Sequence, residues 1–190
     1  MAKISDDLKL AILEMPDKEK NKLLLRLIAK DFMLIAQLQH QLLEGEEDMK
    51  NKRSELLAHI QKYLGTENNN SYSDTPGLLM MEMRDMNGNI TRHVKITKDK
   101  LGEIELTLCL VNHAFAEHPN MLAQKAKRAE NFAEYVVKKA DFVLKKLEKI
   151  HEDYHIVFED DTNKMLQFIA NYQPCQPFAK SMNLPRYWRK

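Results

Sequence analysis

Apolar residues recur at intervals of three and four along most of the chain, a spacing typical of amphipathic α-helices. Ser5 or Asp6 is suited to cap a short first helix, and Pro16 is suited to the first turn of a second. The clearest stripe then consists of these apolar residues: Leu24, Leu27, Ile28, Ile35, Leu38 and Leu42. Asp31 lies close to this stripe and is its one conflicting residue. A third helix is predicted over about 49–64.

The segment from 66 to 97 does not continue this pattern. Residues 66–77 (TENNNSYSDTPG) are polar and rich in turn-forming residues, which predicts an internal loop. In the residues that follow, Asn87-Gly88 is a strong hairpin signal, and the apolar residues on each side of it alternate with polar ones. We expect a β-hairpin at about 79–96. The alternative is a Met-rich helix that ends at Asn87-Gly88.

Helical periodicity returns between Asp99 and His118, where the chain has two apolar faces. Leu106 and Leu110 lie nearly opposite the first face, which consists of Leu101, Ile104, Leu108, Val111 and Phe115. A helix that is apolar on two sides is covered on two sides. We therefore expect this helix to be the central one of the fold.

A further helical pattern runs from about Met121 to about Phe158, and a last helix is predicted to start near Asp161 or Thr162. If unbroken, the longer helix would span on the order of 55 Å at about 1.5 Å per residue. This length exceeds the width of a small domain. We therefore expect a kink, a break or a partner along it.

These elements predict a mostly α-helical protein, a bundle of five or six helices with a β-hairpin at about 79–96. We expect a single helical domain over 1–172 that contains the internal loop, and a C-terminal tail with three prolines over 173–190. The predicted core consists of these residues: Leu24, Ile28, Ile35, Leu38, Leu57, Ile60, Ile104, Leu108, Val111, Phe115, Val136, Val143, Leu147 and Ile150.

The composition indicates where in the cell we expect the protein more clearly than it indicates a function. The 190 residues carry a formal net charge of +1, with 44% hydrophobic and 30% charged residues, an ordinary globular balance. We expect no nucleic-acid binding, although one face of the long helix carries Lys127, Lys138, Lys145 and Lys149. The start has no signal-peptide pattern, and no apolar run approaches the roughly 18 residues of a spanning helix. We expect a cytoplasmic protein without membrane contact, and its two cysteines reduced.

The sequence His151-Glu152-Asp153-Tyr154-His155 has the H-E-x-x-H spacing that, on a helix, places two imidazoles on one metal ion. Catalytic zinc needs a third protein ligand, and no histidine follows His155. The charged Asp153 also stands where zincin helices bury an uncharged residue. In a helical bundle, His113 or His118 could supply the third ligand for a divalent metal. The simpler interpretation is two histidines on a helix face.

No other catalytic pattern is complete. Cys109 falls within an apolar helix and Cys175 within the tail, so neither is expected to act as a nucleophile. No phosphate-binding or dinucleotide-binding loop pattern is present, because the five glycines of the chain lie far apart in the sequence. Arg186, Tyr187 and Trp188 are candidates for a binding contact, since aromatic and arginine side chains are over-represented in interface hot spots.

The stretches DKEKNKLLLRLIAKDFMLIAQL and KLGEIELTLCLVNHAF resemble an uncharacterised family of small helical bacterial proteins. The resemblance covers about the first 60 residues and parts of 100–170, and it implies an α-helical fold without indicating an activity. From the residues themselves, we expect a non-enzymatic interaction or regulatory protein with no cofactor. Its expected partner is another protein or further copies of itself. The alternative is a metal-binding bundle or a metal-dependent hydrolase that uses His151 and His155.

Overall fold

The computed structural model describes residues 4–65, 75–124 and 128–189. Within these ranges it contains ten α-helices and no β-strand, so the mostly α-helical class is confirmed and the number of five or six helices is wrong. The helices are α1 (Asp6–Glu14), α2 (Asp17–Ile28), α3 (Phe32–Leu43), α4 (Glu46–Leu64), α5 (Pro76–Thr97), α6 (Lys100–Glu117), α7 (Pro119–Leu122), α8 (Ala129–Leu147), α9 (His155–Asn171) and α10 (Gln176–Ser181).

The predicted β-hairpin at about 79–96 is wrong, because α5 is one continuous helix of 22 residues. Thr75 caps it by accepting a hydrogen bond from the N–H of Leu78, and Pro76 stands in the first turn. Six of its nine buried residues follow steps of three and four: Leu79, Met83, Met86, Ile90, His93 and Thr97. The helix passes through Asn87-Gly88, so the alternative of a helix ending there is also wrong.

The prediction of a central helix is confirmed by α6. Ten of its 18 residues are buried, and it packs against α4, α5, α8 and α9. Most of the predicted core is buried around it: Ile60, Ile104, Leu108, Val111, Phe115, Val136, Val143 and Leu147. Leu57 and Ile150 are partly buried against that core.

The long helix predicted over about 121–158 is broken. α7 ends at Leu122, α8 ends at Leu147, and a 3₁₀ turn at Glu152–Tyr154 precedes α9. Two shorter helices can both pack on the central helix, which one straight rod of that length cannot do within a small domain. The expected break is therefore present, and the interruption between α8 and α9 includes the first four residues of the H-E-x-x-H sequence.

The chain divides into two compact units, Met1–Gly45 and Glu46–Lys190. The sequence predicted one domain over 1–172, with its internal loop at 66–77; residues 66–74 of that loop lie outside the described residues. The predicted tail at 173–190 belongs to the second unit. It contains a 3₁₀ turn and α10, and Cys175 within it is completely buried.

In the N-terminal unit, Asp31 explains the conflict in the first apolar stripe. Its side chain caps α3 by accepting hydrogen bonds from the N–H groups of Met33 and Leu34, at 2.9 and 3.1 Å. The stripe is therefore two helices, because a carboxylate in that position satisfies the first N–H groups of a new helix. The prediction that Leu24 and Ile35 belong to the core is wrong, since both are exposed.

No helix in the described ranges has both the length and the apolar character needed to cross a bilayer.

Candidate functional site

The H-E-x-x-H sequence does not form a single helix that could present both histidines to one metal ion. α8 ends at Leu147, Glu152–Tyr154 form the 3₁₀ turn, and α9 begins at His155. His151 precedes the turn, its side chain is 72% exposed, and its Nδ1 atom lies 3.2 Å from a carboxylate oxygen of Asp153. His155 is buried. The two histidines therefore lie in different environments.

The ring of His155 makes one hydrogen bond and one aromatic contact, and its Nδ1 atom is buried without a hydrogen-bond partner. Its Nε2 atom lies 2.9 Å from the carbonyl oxygen of Leu147, the last residue of α8. The ring packs edge-on against Trp188, with 5.1 Å between ring centroids. The last carbonyl groups of a helix have no partner within the helix, so His155 satisfies one of them.

His113 and His118 have the same role at the end of α4. Nε2 of His113 lies 2.8 Å from the carbonyl oxygen of Gln61, and Nε2 of His118 lies 2.9 Å from that of Leu64. The Nε2 atom that donates its hydrogen to a carbonyl has no lone pair for a metal ion, which leaves Nδ1 as the one possible ligand atom of each ring. Three of the four histidines predicted as metal ligands therefore hold helix ends together.

The structure does not bring the predicted ligands His113, His118, His151 and His155 to one point. In the part of the chain that the structure describes, no three His, Cys, Asp or Glu side chains are grouped so that they could hold a metal ion. The arrangement of these four residues thus gives no support to the metal-dependent alternative.

A polar cluster that the sequence reasoning missed joins α4, α5 and α6. Oδ2 of Asp99 lies 3.1 Å from Nε of Arg53 and 3.5 Å from Nε2 of His93. Oδ1 accepts a hydrogen bond from the N–H of Gly102 at 2.8 Å, which caps α6. Arg53 also binds Glu105, with 2.9 Å between the charged atoms. The cluster fixes the junction of three helices.

Burial alone would raise the pKa of Asp99. The hydrogen bonds from His93 and from the N–H of Gly102, together with the guanidinium of Arg53, hold the pKa of that carboxyl below its usual value. Asp99 is therefore an ionised helix cap. The capping position could be read from the sequence, but the ion pair with Arg53 joins it to a distant part of the chain.

Both cysteines lie in surroundings that disfavour the reactive thiolate. Burial raises the pKa of Cys175 to about 12. Burial, with smaller contributions from Asp161 and Glu105, raises the pKa of Cys109 to about 11. The thiolate is the nucleophilic form, so neither residue is poised for catalysis.

Two of the four lysines that lie on one face of the predicted long helix are paired with acids. Lys138 binds Glu134 at 2.6 Å and Lys145 binds Asp141 at 2.7 Å, each one turn away on α8. Of the other two lysines, Lys149 follows the end of α8, and Lys127 lies outside the described residues. Pairs of this kind are typical of a solvated helix face.

The three C-terminal candidates differ in their surroundings. Trp188 is partly buried against the core, and its backbone N–H donates to Oδ1 of Asn163 at 2.8 Å. Arg186 and Tyr187 are exposed. Trp188 therefore contributes to packing within its own unit, and only Arg186 and Tyr187 remain available to a partner.

The most unusual surface lies in the N-terminal unit. None of the residues of α1, α2 and α3 is buried. Among the described residues, eleven of the eighteen exposed large apolar side chains lie in this unit: Ile4, Leu8, Leu10, Leu13, Leu24, Leu25, Leu27, Phe32, Ile35, Leu42 and Leu43. We call this set the N-terminal apolar surface. Isolated exposed leucines are ordinary, but a concentration of this kind marks an interaction site.

On α3 these side chains form a continuous stripe. Phe32, Ile35, Leu42 and Leu43 fall within an arc of about 100° at 100° per residue, which is the width of a helix face that packs on a partner. Phe32, Leu42 and Leu43 are 74%, 70% and 82% exposed. The sequence shows that this face is apolar but gives no sign that it is uncovered.

No protein-family model, curated protein or solved structure matches this chain. The resemblance to a bacterial family therefore stays a prediction, and the function is argued from the molecule itself.

Proposed function

We propose that the protein is a non-enzymatic interaction protein that associates with further copies of itself through the N-terminal apolar surface. The observation that carries this proposal is a unit of three helices in which no residue is buried and eleven large apolar side chains are exposed. Water contact with so much apolar area is unfavourable. A second copy would cover it with a surface of the same kind.

The energy available from this surface is of the same order as the cost of association. Its side chains are between 38% and 82% exposed. Burying a large apolar side chain fully is worth about 1.5–3 kcal/mol, so covering half of the set in two copies gives on the order of 10 kcal/mol. Bringing two proteins together costs about 4–15 kcal/mol. We therefore expect an assembly of moderate affinity that depends on protein concentration.

Charge supports a protein partner over a phosphate-rich one. Residues 1–45 contain seven basic and seven acidic residues. Helices that lie on anionic membranes carry a polar face rich in lysine and arginine, and nucleic-acid surfaces are strongly basic. The unit as a whole has no excess of basic residues, which favours a second copy of the chain over either of these surfaces.

The surroundings of the histidines and cysteines support a non-enzymatic role for the second unit. His113, His118 and His155 act as helix caps, and burial suppresses ionisation of Cys109 and Cys175. These groups contribute to stability in their present positions. In this proposal the second unit is a folded domain, and the N-terminal unit provides the contact between copies of the protein.

The test measures the mass of the full-length protein by light scattering over a wide range of concentrations. The wild type is expected to exceed the monomer mass as concentration rises. A variant with Phe32→Ser and Leu42→Ser should remain a monomer, since it loses two side chains of the α3 stripe. The matched control is Ile156→Ser with Val157→Ser, because these residues are 79% and 67% exposed on α9 of the second unit. Circular dichroism verifies that all three proteins have the same helix content.

The control is expected to associate as the wild type does. A wild type that stays monomeric at every concentration would overturn the proposal. So would a control pair that dissociates the assembly while the α3 variant keeps it, because the contact would then lie on the second unit.

A further inference from the structure

Charges are unevenly distributed along the N-terminal unit. Residues 4–19, here called the acidic half, contain five acidic and two basic residues, a net charge of −3. Residues 20–31, here called the basic half, contain four basic residues and one acidic residue, a net charge of +3. The unit therefore has two oppositely charged halves although it has no net charge.

The charged groups that produce this polarity are available at the surface. All five acidic residues of the acidic half are exposed, as are Lys22, Arg26 and Lys30 in the basic half. Asp6 binds Lys9 at 2.9 Å and Asp17 lies 3.6 Å from Lys20, both with exposed carboxylates. Exposed pairs of this kind are worth little, and they leave the charge of each half in place.

Each half also contains part of the N-terminal apolar surface. The acidic half contributes Ile4, Leu8, Leu10 and Leu13, and the basic half contributes Leu24, Leu25 and Leu27. When these side chains are covered by a second copy, the charges beside them are brought close to the charges of that copy. The sign of the charges then decides which half can lie against which.

We infer that two N-terminal units pair about a two-fold axis, with the acidic half of each copy against the basic half of the other. In a two-fold contact, residue i of one copy meets residue j of the other, and j meets i. The favourable opposition of charge therefore occurs twice. A pairing of like halves would place −3 against −3 and +3 against +3, which is repulsive at both ends. This inference rests on the self-association proposed above.

The test uses a full-length variant in which the two halves exchange sign. The substitutions Asp7→Lys, Glu14→Lys and Glu19→Lys reverse the acidic half, and Lys22→Glu, Arg26→Glu and Lys30→Glu reverse the basic half. Asp6, Asp17 and the capping residue Asp31 are left unchanged. The net charge and the apolar residues of the chain are also unchanged.

The reversed variant is expected to associate with itself as the wild type does, because opposite halves still meet. It should not associate with the wild type, because acidic would then meet acidic and basic would meet basic. Affinity-tagged wild type is mixed with untagged variant, and the captured variant is compared with captured untagged wild type. We expect at least a tenfold deficit.

Mixed assemblies that form as readily as the wild-type ones, or more readily, would overturn the two-fold arrangement. A wild type that does not self-associate would instead overturn the proposed function, so the two failures are distinguishable. Salt gives a second measurement that needs no variant. Added sodium chloride should weaken the wild-type assembly, because it screens attraction between the halves. An assembly that salt leaves unchanged or strengthens would contradict attraction between the opposite halves.

Discussion

The carboxylate of Asp99 accepts a hydrogen bond from the backbone N–H of Gly102 at 2.8 Å, and its second oxygen occupies the space into which a side chain at position 102 would project. The two residues are therefore coupled. Asp99 can cap α6 and reach Arg53 together only because position 102 has no Cβ atom. The close contact therefore requires glycine at position 102. The backbone conformation there does not require it, because no described glycine has a positive φ.

Replacement of this glycine, Gly102→Ala, should destabilise the second unit. The added methyl group would displace the Asp99 carboxylate, and its neighbour Arg53 is also in close contact. Loss of a helix cap and overpacking together should cost about 2–4 kcal/mol. Urea unfolding followed by circular dichroism, at one fixed protein concentration, measures the change. A variant as stable as the wild type would show that the carboxylate does not lie against Gly102.

The opposite effect is expected for Gly88→Ala. Gly88 lies in the middle of α5, and nothing lies within 4 Å of an added Cβ atom. Alanine in an exposed helix interior is more stable than glycine by about 0.5–1 kcal/mol. In an Asn-Gly hairpin turn the same change would be destabilising, because that turn needs a positive φ. The sign of the change in urea midpoint therefore distinguishes the helix from the hairpin.

Local patterns predicted the elements whose signals are complete within a short stretch. α6 has two apolar faces, so its central position could be inferred from the residues between Asp99 and His118 alone. The hairpin prediction for the residues of α5 is wrong because Leu79, Met81 and Met83 alternate with other residues as in a strand, and Asn87-Gly88 resembles a turn. The helical spacing of its buried residues becomes decisive only when the other helices show which face is covered.

The candidate sites were less predictable, because their meaning depends on contacts distant in sequence. His118 binds a carbonyl 54 residues away, which nothing near it in the sequence indicates. The apolar stripe containing Ile35 is helical, although it consists of two helices, and periodicity identifies an apolar face without identifying what covers it. Asp31 is a second example. Periodicity alone marks it as a polar residue that conflicts with an apolar stripe, whereas the structure shows that it caps α3.

Stability of the second unit should fall in acid because of Asp99. The folded-state pKa of this carboxyl lies below its unfolded value of 3.8, so its stabilising contribution is complete above that value and is lost as pH falls through the folded pKa. Asp99→Asn should be less stable than the wild type near pH 7 by about 1–3 kcal/mol, since Arg53 and His93 lose a buried anionic partner. Urea unfolding over a series of pH values should show the difference shrinking below about pH 4.

The matched control for this acid effect is Glu105→Gln, which removes the more exposed carboxylate bound to the same guanidinium. Its effect should be within about 1 kcal/mol, because partly exposed ion pairs contribute little. If Asp99→Asn has the same deficit at pH 7 and at pH 3, the lost hydrogen-bond geometry and not the charge is responsible, which contradicts the prediction.

The two histidines of the H-E-x-x-H sequence should respond differently to alanine. His155→Ala removes the hydrogen bond to Leu147 and the ring contact with Trp188, at a cost of about 1–3 kcal/mol. His151→Ala should change the free energy of unfolding by no more than about 0.5 kcal/mol, because the side chain is largely exposed. Trp188 is the single tryptophan, so its fluorescence should shift to longer wavelength in the His155 variant alone.

Zinc provides the decisive comparison for the same two variants. A ligand that binds only the folded state raises its stability, and the effect grows with ligand concentration. Nε2 of His155 is engaged with the end of α8, its Nδ1 atom is buried, and no group of three ligands is present among the described residues, so added zinc should leave the unfolding midpoint of the wild type unchanged. A zinc-dependent rise that both His151→Ala and His155→Ala abolish would show that the two histidines share a metal ion. The helix end at Leu147 would then have to rearrange, and the fluorescence of Trp188 would report that rearrangement as zinc is added.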